Sequence, residues 1–258
     1  MKPLWINCLL ILITGAGRVA SQPDDGLYTS LLQHYVDANG LVDYAALKAD
    51  PGLDRYLSSV AEIDPATLPE GAARLAFWLN AYNAYTLKLI ADNYPVQSIN
   101  DLATGGKYIG YLIGKTPWDI KFATIHGERV TLNYIEHDII RKQFREPRIH
   151  FALVCAAKSC PKLRREAYAG DSLEMQLADQ LDGFLHDRTK NRFSVPLRMA
   201  EVSKVFDWFK SDFGTADTEV LEFVAEYAPK RASLSIRRAP DTWKLGYMNY
   251  DWALNAQP

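Results

Sequence analysis

The stretch EGAARLAFWLNAYNAYTLKLIADNY (residues 70–94), followed by Pro95, decides the fold. Wound at the pitch of an α-helix, it gathers Leu75, Trp78, Leu79, Tyr82, Thr86 and Leu89 on one side. The other side carries Phe77, Ala81, Ala84 and Ala91 and is hardly polar. A helix that is apolar nearly all round has no face to offer water, so it belongs in the middle of a core. Pro95 closes it, because proline cannot donate to the helix ladder and its ring collides with the preceding turn.

Shorter elements surround this helix. Upstream, Asp24 or Asp25 caps a helix expected to run to about Asn39, where Gly40 ends it. Residues 41–44 read as a short extended piece, and residues 53–62 as a helix before Pro65 and Pro69. Downstream, residues 121–132 predict a hairpin with His126-Gly127 as its two-residue turn. Thr131 or Asn133 then caps a helix through Phe144. The apolar, β-branched run over residues 148–155 predicts a buried strand, opening into a loop with Ser159, Cys160 and Pro161. Asp171 and Glu174 are spaced as a capping box for a helix to about His186. Two or three short strands, helices over 203–213 and 218–227 and an aromatic stretch over 247–252 complete the chain. Helices dominate, and the strands do not alternate with them in βαβ order. The expected class is α+β: a mainly helical single domain over residues 22–258, with a buried central helix and a small, largely antiparallel sheet.

The first 21 residues read differently. Lys2, an apolar run from Leu4 to Ile13 and the small residues Val19-Ala20-Ser21 have the layout of a cleaved signal peptide. The run is shorter than the ~20 residues a membrane span needs. The expectation is export to the periplasm or the extracellular space, with membrane contact only through this segment if it stays uncleaved. Lys+Arg 29 against Asp+Glu 31 gives a net charge of −2, which leaves no basic surface for nucleic acid. A hydrophobic fraction of 48% and a charged fraction of 23% are ordinary for a globular chain.

Cys8 leaves with the signal segment, so the mature chain keeps Cys155 and Cys160. In an oxidising compartment they can form a disulfide. For Cys155 a buried apolar thiol, a disulfide with Cys160 and an activated thiolate all stay open. His137 and His150 are the candidate bases, because nucleophilic catalysis needs an imidazole within reach and a third group to orient it. Asn80 and Asn83, one turn apart in the central helix, either orient that base or tie loops to the helix; a buried amide without partners is costly. Lys158, Ser159, Cys160, Asp251 and Trp252 are the candidate binding residues. The cysteine spacing and scattered histidines make no metal signature, and no cofactor is expected. The aromatic groups Trp208-Phe209 and Trp243/Tyr247/Tyr250/Trp252 read as core or groove lining.

Four blocks carry a resemblance: Ala76-Phe77-Trp78-Leu79-Asn80-Ala81-Tyr82-Asn83-Ala84; Tyr134-Ile135-Glu136-His137; Arg148 to Cys155; and Ser159-Cys160-Pro161. In that order, and with Tyr250-Asp251-Trp252-Ala253-Leu254-Asn255 at the end, the chain resembles the domain of unknown function 547 family. The resemblance implies an exported bacterial-type protein and supplies no catalytic assignment. Three functions are therefore carried forward. One is a thiol-dependent hydrolase or acyl transferase acting on peptide or amide bonds, with Cys155 as nucleophile, His137 or His150 as base and Asn80 or Asn83 as orienter. The second is a dithiol redox protein using Cys155 and Cys160. The third is a non-enzymatic envelope module binding a peptide, glycan or protein ligand.

Overall fold

A computed structural model describes residues 22–103, 105 and 114–258. The expected signal segment, with Cys8, lies outside the described residues. Helix α1 (Asp25–Tyr35) starts where Asp24 Oδ1 accepts the Leu27 N–H at 2.9 Å. It stops short of the expected Asn39, because Val36 turns extended and bridges to Val42. Asp43 caps α2 (Tyr44–Ala49), and α3 (Gly52–Glu62) follows. The central helix is α4 (Ala72–Asn93), and every residue from 75 to 87 is buried. Full burial of a side chain such as Leu79 or Ile90 is worth about 1.5–3 kcal/mol.

The hairpin forms as its turn predicts. Strands β1 (Ala123–Ile125) and β2 (Glu128–Val130) pair antiparallel. His126 and Gly127 between them both take positive φ, the turn geometry that matches the natural twist of a hairpin. Thr131 Oγ1 then accepts the Tyr134 N–H at 2.9 Å and opens the next helix. That helix is wound wide: Tyr134–Ile140 is π-helical, with the Arg141 N–H bonded to the Glu136 carbonyl. It tightens into α5 (Arg141–Gln143).

Residues 148–155 do not form the expected strand. A 3₁₀ turn, Pro147–Phe151, is followed by irregular chain. The reason is Asn83. Its Nδ2 donates to the Ala152 carbonyl and its Oδ1 accepts the Val154 N–H, both at 2.9 Å. The side-chain amide thus plays the part of a neighbouring strand, so this apolar run is buried without a sheet.

Glu174 pairs with Arg148 instead of boxing with Asp171, and α6 (Leu173–His186) begins after a 3₁₀ turn. The rest comprises β3 (Arg192–Ser194), β4 (Met199–Val202), α7 (Val205–Trp208), α8 (Lys210–Phe213), α9 (Asp217–Ala225), α10 (Lys230–Arg238) and β5 (Lys244–Tyr247). β4 lies between β3, antiparallel to it, and β5, parallel to it. The class is α+β and mainly helical, with two small sheets. The expected helix over 203–213 is broken at Phe209, where the backbone leaves helical geometry.

The apolar core gathers in two clusters. The first surrounds α4. The second joins Phe151 and the end of α6 to β4, α7, α9 and Trp243. Tyr250 packs against both. No helix among the described residues is long and apolar enough to cross a membrane.

Candidate functional site

The site forms at the seam between the two clusters, around the loop joining Cys155 to Cys160. Asn83 holds one side of this loop. The C-terminal segment holds the other: the Asn255 N–H donates to the Ala156 carbonyl at 3.0 Å, and the Lys158 N–H to Ala253 at 2.8 Å. The Ser159 N–H reaches the Asp251 carbonyl at 3.2 Å, and Ser159 Oγ accepts the Asp251 N–H at 2.8 Å. Ala156 takes a φ of 61°, a left-handed conformation that costs an alanine about 1–2 kcal/mol. The hydrogen bonds from both sides offset that cost.

Cys155 and Cys160 are disulfide-bonded, with Cα atoms 6.2 Å apart. The two sulfurs differ in environment. Cys155 is half-buried, whereas Cys160 is only 2% exposed. Cys160 Sγ accepts the Cys155 N–H at 3.0 Å. The Tyr250 hydroxyl sits 3.2 Å from each sulfur. Burial, and then the charge of Glu136, push this phenol well above its usual range, so it keeps its proton and donates.

The pair opens on a cleft of about 190 Å³. Its walls are aromatic: Tyr82, Trp118, Trp208, Phe209, Tyr250 and Trp252. Trp208 stacks on Trp252 with ring centres 5.6 Å apart and packs on Tyr250 at 4.7 Å. The break at Phe209 lets two consecutive aromatic side chains, Trp208 and Phe209, line the cleft. Trp208 stays 47% exposed at the rim.

Polar groups enter from the floor. Glu136 is buried, and burial raises its carboxyl to about 7 against the opposing pull of a Tyr82 hydrogen bond and the Arg141 charge. Beside it, His137 Nδ1 lies 3.2 Å from an Arg141 guanidinium nitrogen. Arginine can only donate, so Nδ1 accepts and the neutral ring carries its proton on Nε2. Burial, followed by the Arg141 charge and the proximity of His150, lowers the His137 pKa and keeps the ring neutral. His150 is buried between Phe209, stacked at 4.0 Å, and Phe213. Its Nε2 donates to Asp212 Oδ2 at 2.7 Å. Burial lowers the His150 pKa, outweighing Asp212. Asp212 also takes a bidentate bond from Arg141, at 2.7 and 2.8 Å. The His150 bond, then Arg141, hold its carboxyl far below the usual carboxylate range. An ionised Asp212 thus orients a neutral His150, leaving Nδ1 as that ring's proton-accepting atom.

The structure brings Cys155, Cys160, His137, His150 and Trp252 to one cleft. It keeps the two asparagines away from it. Asn80 bonds both the carbonyl and the N–H of Tyr168 at 2.8 Å, as Asn83 does for Ala152 and Val154. Their amides tie loops to α4, and neither touches an imidazole through these bonds. Ser159 and Asp251 brace the C-terminal segment, and Lys158 is exposed. Glu136, Arg141, Asp212 and Tyr82 were not anticipated. The early signals were Glu136's place next to His137 and Tyr82's place between Asn80 and Asn83. Among the described residues no group of three or more His, Cys, Asp or Glu side chains could hold a metal ion.

Residues 66–185 match the family model described as protein of unknown function, DUF547. The DUF547 segment contains α4, the π-helical turn and both cysteines. It therefore carries Glu136, His137 and His150, whereas Trp208, Asp212, Tyr250 and Trp252 lie beyond it. No curated protein and no solved structure matches the chain.

Proposed function

We propose that the protein is an exported dithiol–disulfide exchange protein acting on cysteine-bearing peptides. The observation that carries this reading is the placement of the Cys155–Cys160 bond at an aromatic cleft, with the accessible sulfur on Cys155 and the sheltered one on Cys160. A peptide thiolate attacks Cys155 Sγ, because that sulfur can be approached. The Cys155–Cys160 bond breaks and its electron pair leaves with Cys160 Sγ. The Cys155 N–H and the Tyr250 hydroxyl already point at that sulfur and stabilise the thiolate that forms. A second thiol of the same peptide then displaces Cys155 from the mixed disulfide. The peptide dithiol is oxidised and the protein disulfide reduced, by two electrons each. Microscopic reversibility allows the opposite direction.

The aromatic walls suit an extended peptide, whose side chains stack on Trp208 and Trp252. The test is to mix the oxidised protein with a dithiol peptide and follow both by mass. Equilibration within minutes, with protein dithiol and peptide disulfide formed in equal amounts, supports the reading. No exchange in the folded protein overturns it.

A second reading rests on the Asp212–His150 pair. In the reduced protein, Cys155 shares its cleft with an imidazole oriented by a carboxylate, the arrangement that thiol hydrolases and acyl transferases use. That reading requires the reduced protein to cleave a peptide amide or ester that the oxidised protein leaves intact. If neither chemistry occurs, the aromatic cleft supports the binding-module reading.

A further inference from the structure

Four side chains at the floor of the cleft form one chain of hydrogen bonds. His150 Nε2 donates to Asp212 at 2.7 Å, and Asp212 takes two bonds from Arg141 at 2.7 and 2.8 Å. The remaining Arg141 nitrogen reaches His137 Nδ1 at 3.2 Å. Every arginine nitrogen is a donor, so His137 Nδ1 has to accept and the proton of that ring stands on Nε2. Arg141 and Asp212 line a separate cavity of about 250 Å³ and not the cleft, so His137 turns Nδ1 away from the disulfide. The opposite edge of the half-buried ring, with Nε2–H, is left to the cleft. Among the described residues that donor has no hydrogen-bond partner. Phe209 packs beside the ring, with centres 6.2 Å apart. The open end of the chain is thus a lone N–H donor among aromatic walls.

We propose that His137 binds the peptide substrate of the exchange reaction, donating from Nε2 to a neutral main-chain carbonyl. This rests on the exchange reading and names what the cleft recognises besides the thiol. A lone donor selects an acceptor, and the charges around it select a neutral one. Among the described residues no lysine or arginine lines the cleft, and the Arg141 charge is spent on Asp212. The carboxyl that does line it, Glu136, opposes an anion. A carboxylate therefore fits poorly and an amide carbonyl well. Arg141 and Asp212 hold the ring in its donating orientation before the peptide arrives, so little ordering is left to be done on binding. The contact keeps a peptide thiol in the cleft that Cys155 shares. A thiol without a carbonyl gains nothing from it.

The test compares how fast three thiols reduce the Cys155–Cys160 bond, each rate divided by the same thiol's rate on a small, exposed disulfide. N-acetylcysteine methylamide carries neutral amide carbonyls, 3-mercaptopropionate carries only a carboxylate, and 2-mercaptoethanol carries no carbonyl. The wild-type protein should favour the methylamide over 2-mercaptoethanol about tenfold, the worth of one hydrogen bond, and give 3-mercaptopropionate no advantage. H137F removes the donor and leaves the bonds among Arg141, Asp212 and His150 in place, so it should bring the methylamide and 2-mercaptoethanol rates together. H137Q, whose amide N–H donates from the same end of the side chain, should restore the preference. A preference that persists in H137F, is missing from the wild type or goes to the carboxylate overturns the inference and leaves the exchange reading standing. A folded wild-type protein that none of the three reduces contradicts the exchange reading itself.

Discussion

His150 donates through Nε2 to Asp212 at 2.7 Å, across the seam where the α4 cluster meets the second cluster. The bond joins the DUF547 segment to the part of the chain beyond it, and it fixes one face of the cleft. The Asp212 carboxylate also holds Arg141, so a single side chain supports both imidazoles of the site.

D212N should therefore be costly. It removes the charge from the hydrogen bonds of Arg141 and His150 and leaves the partly buried Arg141 without its bidentate partner, at about 2–4 kcal/mol. Because the folded pKa of Asp212 is depressed, its contribution is present above the unfolded value of 3.8 and lost as pH falls through the folded one. Denaturant unfolding of D212N and wild type should differ at neutral pH, and the difference should shrink under strong acid.

Glu136 has the opposite sign. Its folded pKa of about 7 lies above the unfolded value of 4.5, so burial of the neutral acid is favourable at low pH and becomes a penalty as pH rises. E136Q should match wild type near pH 4.5 and exceed it by about 3 kcal/mol above pH 7, from the size of that shift. A pH-independent difference in urea unfolding would contradict the buried-acid account.

N83A tests the side chain that replaces a strand. The Ala152 carbonyl and Val154 N–H lose their partners in a dry core, at about 2–4 kcal/mol for the two. Hydrogen exchange at Val154 should accelerate well beyond the effect on α1. Unchanged protection there would mean that a backbone group had taken over.

Much of the architecture was legible in local pattern. The 70–94 stretch could only be a central helix, and His126-Gly127 announced its hairpin. The misread strand at 148–155 shows where local pattern ends. Apolar and β-branched residues mark burial in a sheet and in a clamped loop alike, and the clamp is a side chain some 70 positions away. Helix α10 escaped notice because it is short and strongly polar, and only Ala232 and Ile236 of its nine residues are buried. The site was legible in part: both cysteines and both histidines were anticipated. Asp212 looked like one more acid in the expected helix over 203–213. Glu136 gave no sign that a wide helical turn would bury it.

Reduction should loosen the molecule modestly. The bridge closes a loop of about six residues, so the chain-entropy account assigns it about 2 kcal/mol. That corresponds to a drop in Tm of about 4–8 °C for a chain of this size. In the reduced protein an alkylating reagent should modify half-buried Cys155 ahead of Cys160. Equal labelling of both would contradict the assigned attack at Cys155.

The central claim is that Cys155 exchanges disulfides through the aromatic cleft, and C160S tests it most directly. This variant cannot resolve a mixed disulfide, so a disulfide-bonded peptide should be captured on Cys155 in stoichiometric amount by the folded protein. Adding W208A should weaken that capture about tenfold, as expected for the loss of one aromatic platform at the rim. Capture that appears only after the protein is unfolded would contradict the account and leave the disulfide as a structural brace.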